Sequence, residues 1–436
     1  MDSKTVNVPG TPASLRLERL SERAWLIAGV VLLANSILRG IRAPGRWAYT
    51  ELLFNYDFGF SKRALQGAIL SIIGTPSLYH YSFCFWYDLT ILFINVGLLT
   101  ALLRDLCNVG ESMPRLVALV FSSSLAVVVL AHTIGYGDQI ALLVTLLTLR
   151  TREFYARSML VALLFPACLL IHETEFVLFF PVILFRFLVD IGDGRDRAKL
   201  ISLCTIIVCA LATLVSLTYS KMSVTDAAQM YHAIQSKADY PLREDELFMI
   251  TSTFGDNLRV QLKVWRDPDA IRFFLYCFVV TFPTTLYLLR ETLTTLSATR
   301  ARRFLRLAAV AASLSPLSMY AIGVDANRWT TLATTTSFLV FSIVVLHSKV
   351  SQSTPASPLV VPAFLIAMNL GSTIELFDGY VVQNFPYEEH LDDLSKVISG
   401  SAPFPPRPEL CVESGCVTVF DWPHPVSAVA KKSSGP

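Results

Sequence analysis

Between two apolar runs the chain places Asn55-Tyr-Asp-Phe-Gly-Phe-Ser-Lys-Arg63, an acid, two bases, three aromatics and a glycine in nine residues. Asp57 has the chemistry of a general base toward an acceptor hydroxyl, and Lys62 and Arg63 that of phosphate ligands. A salt-bridged loop would use the same residues, although Phe58-Gly-Phe60 is unusually apolar for a solvated one.

Three other clusters share this setting. His172, Glu173 and Glu175 stand between hydrophobic runs with almost no loop, a costly place for ionisable groups unless they face a cavity or partners. The segment lacks the second histidine of a His-Glu-x-x-His zinc site. Its carboxylates could hold a divalent cation, but no metal ligand and no other cofactor can be assigned. In His132-Thr-Ile-Gly-Tyr-Gly-Asp138 the glycines permit a tight turn, and Asp138 either joins a site or caps the helix it begins. In Val324-Asp-Ala-Asn-Arg-Trp329, Asp325 and Arg328 either pair across one helix turn or leave Arg328 to grip a phosphate with two N–H groups.

What must position these residues is a membrane bundle. Of 436 residues, 53% are hydrophobic and 16% charged, with mean hydropathy +0.53, against about 45–50% and about 25% in a soluble domain. Apolar segments recur at 24–39, 83–103, 115–131, 139–149, 157–171, 175–189, 199–219, 271–289, 304–323, 329–347 and 358–376. An all-α, multi-pass bundle of ten or eleven membrane segments is expected. Segments 139–149 and 175–189 are short and read as half-depth helices. The first run has no small-residue cleavage site behind it and reads as a retained span.

Positive charge sets the orientation. Arg16, Arg19 and Arg23 put segment 1–23 in the cytoplasm. The loops at 104–115, 150–157, 190–199, 290–303 and 348–357, which hold eleven arginines, fall on the same side. The transmembrane domain then covers 24–376, with extracytoplasmic loops at 40–82 and 220–270, and residues 377–436 form a small extracytoplasmic tail. All the clusters above land outside, the long 220–270 loop could fold over them, and Cys411 and Cys416 in the tail could oxidise there. There is no Walker loop, no Gly-x-Gly-x-x-Gly after a strand, no Gly-x-Ser-x-Gly and nothing that points to nucleic acid.

The stretches NYDFGFSKRALQG, HETEFVLFF and DANRW, on a bundle of this size, resemble membrane-embedded glycosyltransferases of the GT-C type and bacterial polysaccharide-cluster membrane proteins, including polymerases. The resemblance covers roughly residues 20–350. It implies a bacterial inner membrane, a sugar donor on a polyprenyl phosphate and a glycan or lipid acceptor. It carries the catalytic base over to Asp57 and phosphate contacts to Lys62, Arg63 and Arg328; the placement of the other clusters adds His172 and Glu173 to the expected catalytic set and Asp138 and Asp325 to the binding set. Many members have two adjacent acids in the first loop; here only Glu51 lies near Asp57. Two other readings stand beside it, a transporter or flippase of lipid-linked or small solutes and a non-catalytic assembly subunit, which would leave these residues scattered.

Overall fold

The computed structural model describes residues 12–73, 76–192, 196–296, 300–323, 325–347, 359–373, 382 and 386–400. Every regular element among them is helical. α1 (Pro12–Gly40) leads through two short helices, α2 (Arg46–Leu53) and α3 (Leu65–Ile73), into α4 (Tyr81–Cys107). Next come α5 (Ser112–Ser122), α6 (Leu125–His132), α7 (Gly137–Arg150), α8 (Phe154–Ile171), the single turn α9 (Glu175–Leu178), α10 (Phe180–Ile191) and α11 (Arg197–Tyr219). Three short helices, α12 (Val224–Gln235), α13 (Leu247–Thr251) and α14 (Phe254–Val264), return the chain to α15 (Pro268–Thr295), α16 (Arg300–Leu314), α17 (Ala326–His347), α18 (Val360–Gly371) and α19 (Tyr387–Ile398).

Among the described residues, seven helices are long and apolar enough to cross a membrane: Glu22–Gly40 of α1, α4, α8, α11, α15, Arg303–Ala321 and α17. The α5–α6 pair, bent by 44°, makes an eighth if taken as one span. By this measure the chain is a multi-pass membrane protein. Fewer segments than the expected ten or eleven pass the test. Segment 139–149 lies in the 14-residue α7, 175–189 in α9 and the 12-residue α10, and 358–376 is helical only over the 12-residue α18 among the described residues. The interruptions have local causes. Ser123 and Ser124 separate α5 from α6, and Pro181 in the first turn of α10 starts a new helix after α9.

α17 is the central helix, with 94% of its apolar window buried among α4, α5, α6, α10, α15 and α16. Small hydroxyl side chains allow that close packing. The Thr331 and Thr335 hydroxyls donate back to the Asn327 and Thr331 carbonyls (2.7 and 3.2 Å), Thr336 donates to Ser313 O of α16 (2.7 Å), and the Thr334 and Thr285 hydroxyls join α17 to α15 at 2.7 Å. Phe121 stacks on Phe338 at 3.8 Å. Peripheral α11 instead exposes Ile201, Val208 and Val215, a lipid-facing surface.

The two ends of the bundle differ. At one, Arg115 of α5 donates to Cys107 O at the end of α4 (3.0 Å), Arg150 pairs with Asp105, and Arg157 and Arg186 both pair with Asp190. Arg157 is therefore a buried partner and not a solvated flanking charge. At the other end, 40–82 and 220–270 are largely helical and fold onto each other. Arg46 donates to Leu242 O (2.7 Å), the Arg243 amide donates to Thr50 Oγ1 (2.9 Å), and Tyr240 packs on Tyr49 and Tyr81. Ser223 caps α12, Thr253 with Asp256 closes a capping box on α14, and Asp267 caps α15 ahead of Pro268. Cys411 and Cys416 lie outside the described residues.

Candidate functional site

Five chain-distant pieces meet at the second end: the end of α2, the turn before α3, the start of α7, the link from α8 to α9, and the start of α17. Each brings an ionisable group, and most of the buried ones are held by hydrogen-bonded partners.

Arg63 is the first hub. Its guanidinium donates to both carboxylate oxygens of Glu173 (3.0 and 3.1 Å) and lies 3.7 Å from Glu51. Lys62 donates to Ser252 O (3.0 Å) and stands 3.7 Å from Glu173. Arg63 has φ 65°, the only positive value for a described non-glycine residue, a strained conformation of the kind found where surrounding structure over-determines a functional position. Burial alone would raise the Glu173 pKa, but Arg63 and Lys62 outweigh it and hold the carboxyl well below its usual range. Burial lowers that of Lys62, with Glu173 pulling the other way.

Arg328 is the second hub. It donates to Asp138 at 2.6 and 2.5 Å, reaches Asp325 at 3.4 Å, and lies over the rings of Tyr136 (5.0 Å) and Trp329 (4.9 Å). Asp138 lies in the first turn of α7, whose N-cap is Tyr136, and pairs with Arg328, and Asp325 pairs with Arg328 across one turn.

His172 sits between the hubs, with Nδ1 2.5 Å from Thr174 Oγ1 and 3.8 Å from Glu175. Gly137 makes the approach possible, because a Cβ there would stand 2.7 Å from His172 Cβ. Glu51 and His172 are each within electrostatic reach of Arg63, Arg328, Glu173 and Asp138, so the hubs form one cluster. Burial, reinforced by Arg63 and Arg328, lowers the His172 pKa to about 3 and keeps the imidazole neutral.

Three acids complete the cluster. Glu51 and Glu246 are buried and, among the described residues, have no hydrogen-bond partner on either carboxylate oxygen; burial pushes both above the usual range, with mutual repulsion adding to it for Glu246. Glu175, also buried, lies beside Asp138. A protonated Glu175 can donate to the Asp138 carboxylate.

Seven of the eight expected site residues thus come together: Lys62, Arg63, Asp138, His172, Glu173, Asp325 and Arg328. Asp57 does not. It is exposed on the turn closed by Gly59 N–H to Tyr56 O (3.1 Å), and its carboxylate makes no ion pair among the described residues. Lys62, Arg63 and Arg328 are all engaged by carboxylates or a carbonyl, so a phosphate would have to exchange with those partners. Among the described residues, no group of three or more His, Cys, Asp or Glu is arranged to hold a metal ion. Glu51 and Glu246 carry the weakest sequence signals. Each precedes an apolar run, Leu-Leu-Phe54 and Leu-Phe-Met-Ile250, and that placement was the available clue.

Fold and site together define a helical multi-pass membrane protein with a buried charge cluster at one end of its bundle. No protein-family model, no curated protein and no solved structure matches the chain.

Proposed function

We propose that the protein is a GT-C-like membrane glycosyltransferase, or a repeat-unit polymerase, of a bacterial inner membrane. It would transfer a sugar from a polyprenyl-phosphate donor to a hydroxyl of a glycan or lipid acceptor on the extracytoplasmic face. The observation that supports this reading is the convergence of Lys62, Arg63, His172, Glu173, Asp138 and Arg328 at the end of the bundle away from the paired arginines.

In this reading the acceptor oxygen attacks the anomeric carbon while the bond from that carbon to the phosphate oxygen breaks. Asp57, open to solvent on the turn before Lys62, takes the hydroxyl proton. Lys62 and Arg63 exchange Glu173 for the leaving phosphate and stabilise its growing charge. Glu173 keeps the two bases in place until then. Glu51, already 3.7 Å from Arg63, is the second candidate for the base.

The test compares Asp57→Asn, Glu51→Gln and Arg328→Ala, each expressed at wild-type level, for lipid-linked glycan length on membranes. Loss in Asp57→Asn is expected. Wild-type output there with loss in Glu51→Gln moves the base to Glu51, and wild-type output in both sinks the transferase. One observation favours the transporter or flippase reading: Glu51 and Glu246, buried and without a hydrogen-bond partner among the described residues, suit a proton-coupled carrier. Transfer survives in detergent, whereas transport needs a sealed vesicle, so turnover by solubilised protein separates them.

A further inference from the structure

Three short helices at the cluster end of the bundle carry exposed apolar stripes. On α14 the stripe is Phe254, Leu258, Leu262 and Trp265, and on α19 it is Tyr387, Leu391, Leu394 and Ile398, all exposed. At 3.6 residues per turn these sets fall within arcs of about 80° and about 60°. On α3, Ile69, Ile72 and Ile73 are exposed, and Ile72 is 85% accessible.

α14 and α19 divide their surfaces in the same way. One side packs on the protein. Val264 of α14 is buried with Phe274, and the Trp265 indole donates to Tyr320 O (3.0 Å). His390 Nε2 of α19 lies 2.6 Å from Leu38 O, and Val397 is buried with Tyr81 and Tyr240. A second side is charged, with Asp256, Arg259 and Lys263 on α14 and Glu388, Glu389, Asp392 and Lys396 on α19. The apolar stripe runs between the two.

Each stripe continues a surface already turned to lipid. α19 meets α1 at Leu38, itself exposed, with Val31 and Ile27 exposed further along the same helix. α14 adjoins α15, which exposes Leu275 and Val279, and α3 packs on α8, which exposes Leu163 and Leu164. The three helices attach to different parts of the rim, so one flat partner surface would not cover them all, whereas a bilayer surface would. We propose that α3, α14 and α19 lie in the membrane–water boundary as a collar, with their stripes in the acyl region and the charged sides of α14 and α19 toward water. Trp265 and Tyr387 stand where interfacial aromatics are favoured. The acidic polar side of α19 selects zwitterionic over anionic headgroups. The proposal needs a membrane protein but not the transfer chemistry, so activity data leave it untouched.

The test places single nitroxide labels by Leu258→Cys and Leu391→Cys, and on the charged sides by Arg259→Cys and Glu389→Cys. The full chain, with its native cysteines replaced, is reconstituted in phosphatidylcholine bilayers. Oxygen accessibility should exceed that of a water-soluble nickel chelate at 258 and 391, and the order should reverse at 259 and 389. Chelate access at 258 or 391, or spin–spin broadening there from a second copy, overturns the collar. If cysteine removal impairs folding, a benzophenone side chain at 258 or 391 in the otherwise wild-type chain answers the same question. Lipid adducts are then expected, and adducts only to protein overturn it.

Discussion

Arg328 and Asp57 lie at opposite extremes of what a charged residue can depend on. Arg328 is buried and joined to Asp138 by two short N–H···O contacts, so removing it strands an acid inside the bundle. Arg328→Ala should lower stability by about 3–5 kcal/mol. Arg328→Lys should recover little, because an ammonium cannot reproduce the planar fork. Asp57→Asn, on an exposed turn, should change stability by less than about 0.5 kcal/mol. Thermal unfolding in detergent checks all three, and a mild Arg328→Ala would show that the cluster does not hold the helix ends together. His172 gives a pH signature. Its folded pKa of about 3 lies below the unfolded value of about 6.5. Between these, the unfolded chain binds a proton that the folded chain refuses, so this residue's share of stability falls as pH drops. At pH 5 the share lost is on the order of 2 kcal/mol. Glu173, with its lowered pKa, acts in the same direction, and Glu51 and Glu246, with raised ones, act against it. The comparison is therefore with His172→Gln, which should lose less stability than wild type between pH 7 and 5; parallel curves would mean that His172 is not held neutral. Most of this cluster was readable in the sequence, because ionisable groups squeezed between apolar runs must find partners. Asp57 stands apart from the buried groups for a local reason: its neighbours fit the pattern, but it lies exposed on the turn closed by Gly59. Glu51 and Glu246 were hard to see because acids ahead of apolar runs look like the wet side of a surface helix, and only the packing of 40–82 against 220–270 buries them.

At the scale of elements, hydropathy located every long span but not the breaks. Segment 115–131 has the length of one helix, and nothing in an apolar average reports the bend at Ser123 and Ser124. Nor could it show that α17 would be central, since its threonines read as mild polarity until their hydroxyls are seen closing on backbone carbonyls. The close contacts between helices are more testable than the count. A Cβ at Gly40 would stand 2.0 Å from Val128 O, a backbone atom that cannot swing aside. Gly40→Ala should therefore push α1 off α6 and cost about 1–3 kcal/mol. Gly97 in α4 has nothing within 4 Å of its added Cβ. Gly97→Ala should be neutral or stabilise by up to about 1 kcal/mol through the unfolded chain. Opposite signs in the two melting curves are the expected result, and a harmless Gly40→Ala would mean the α1–α6 contact is looser than it looks.

The whole molecule is polarised, and that polarity can be measured without knowing any substrate. Arg115, Arg150, Arg157 and Arg186 are tied into one end through Cys107 O, Asp105 and Asp190, while Arg63 and Arg328 are tied into the other through Glu173 and Asp138. The ends are linked by helices that run alternately up and down. α7 starts at Asp138 in the cluster and ends at Arg150, and α8 starts near Arg157 and ends beside His172. α1 runs toward the cluster and ends at Gly40, so the start of this helix belongs with the paired arginines. Basic residues beside short loops stay on the cytoplasmic side. An Arg152→Cys label and an amino-terminal tag should therefore be reachable only from the cytoplasm, and an Asp57→Cys label only from outside. Asp57→Cys suits this use because the position is exposed and unpaired, and Arg152 is likewise exposed in the link between α7 and α8. An impermeant maleimide applied to intact spheroplasts and then to inverted vesicles reads both positions on one chain. Labelling of 57 and 152 from the same side would contradict the fold itself. Labelling of 152 from outside would leave the fold intact but turn the cluster to the cytoplasm, where a donor on the extracytoplasmic face could not meet it.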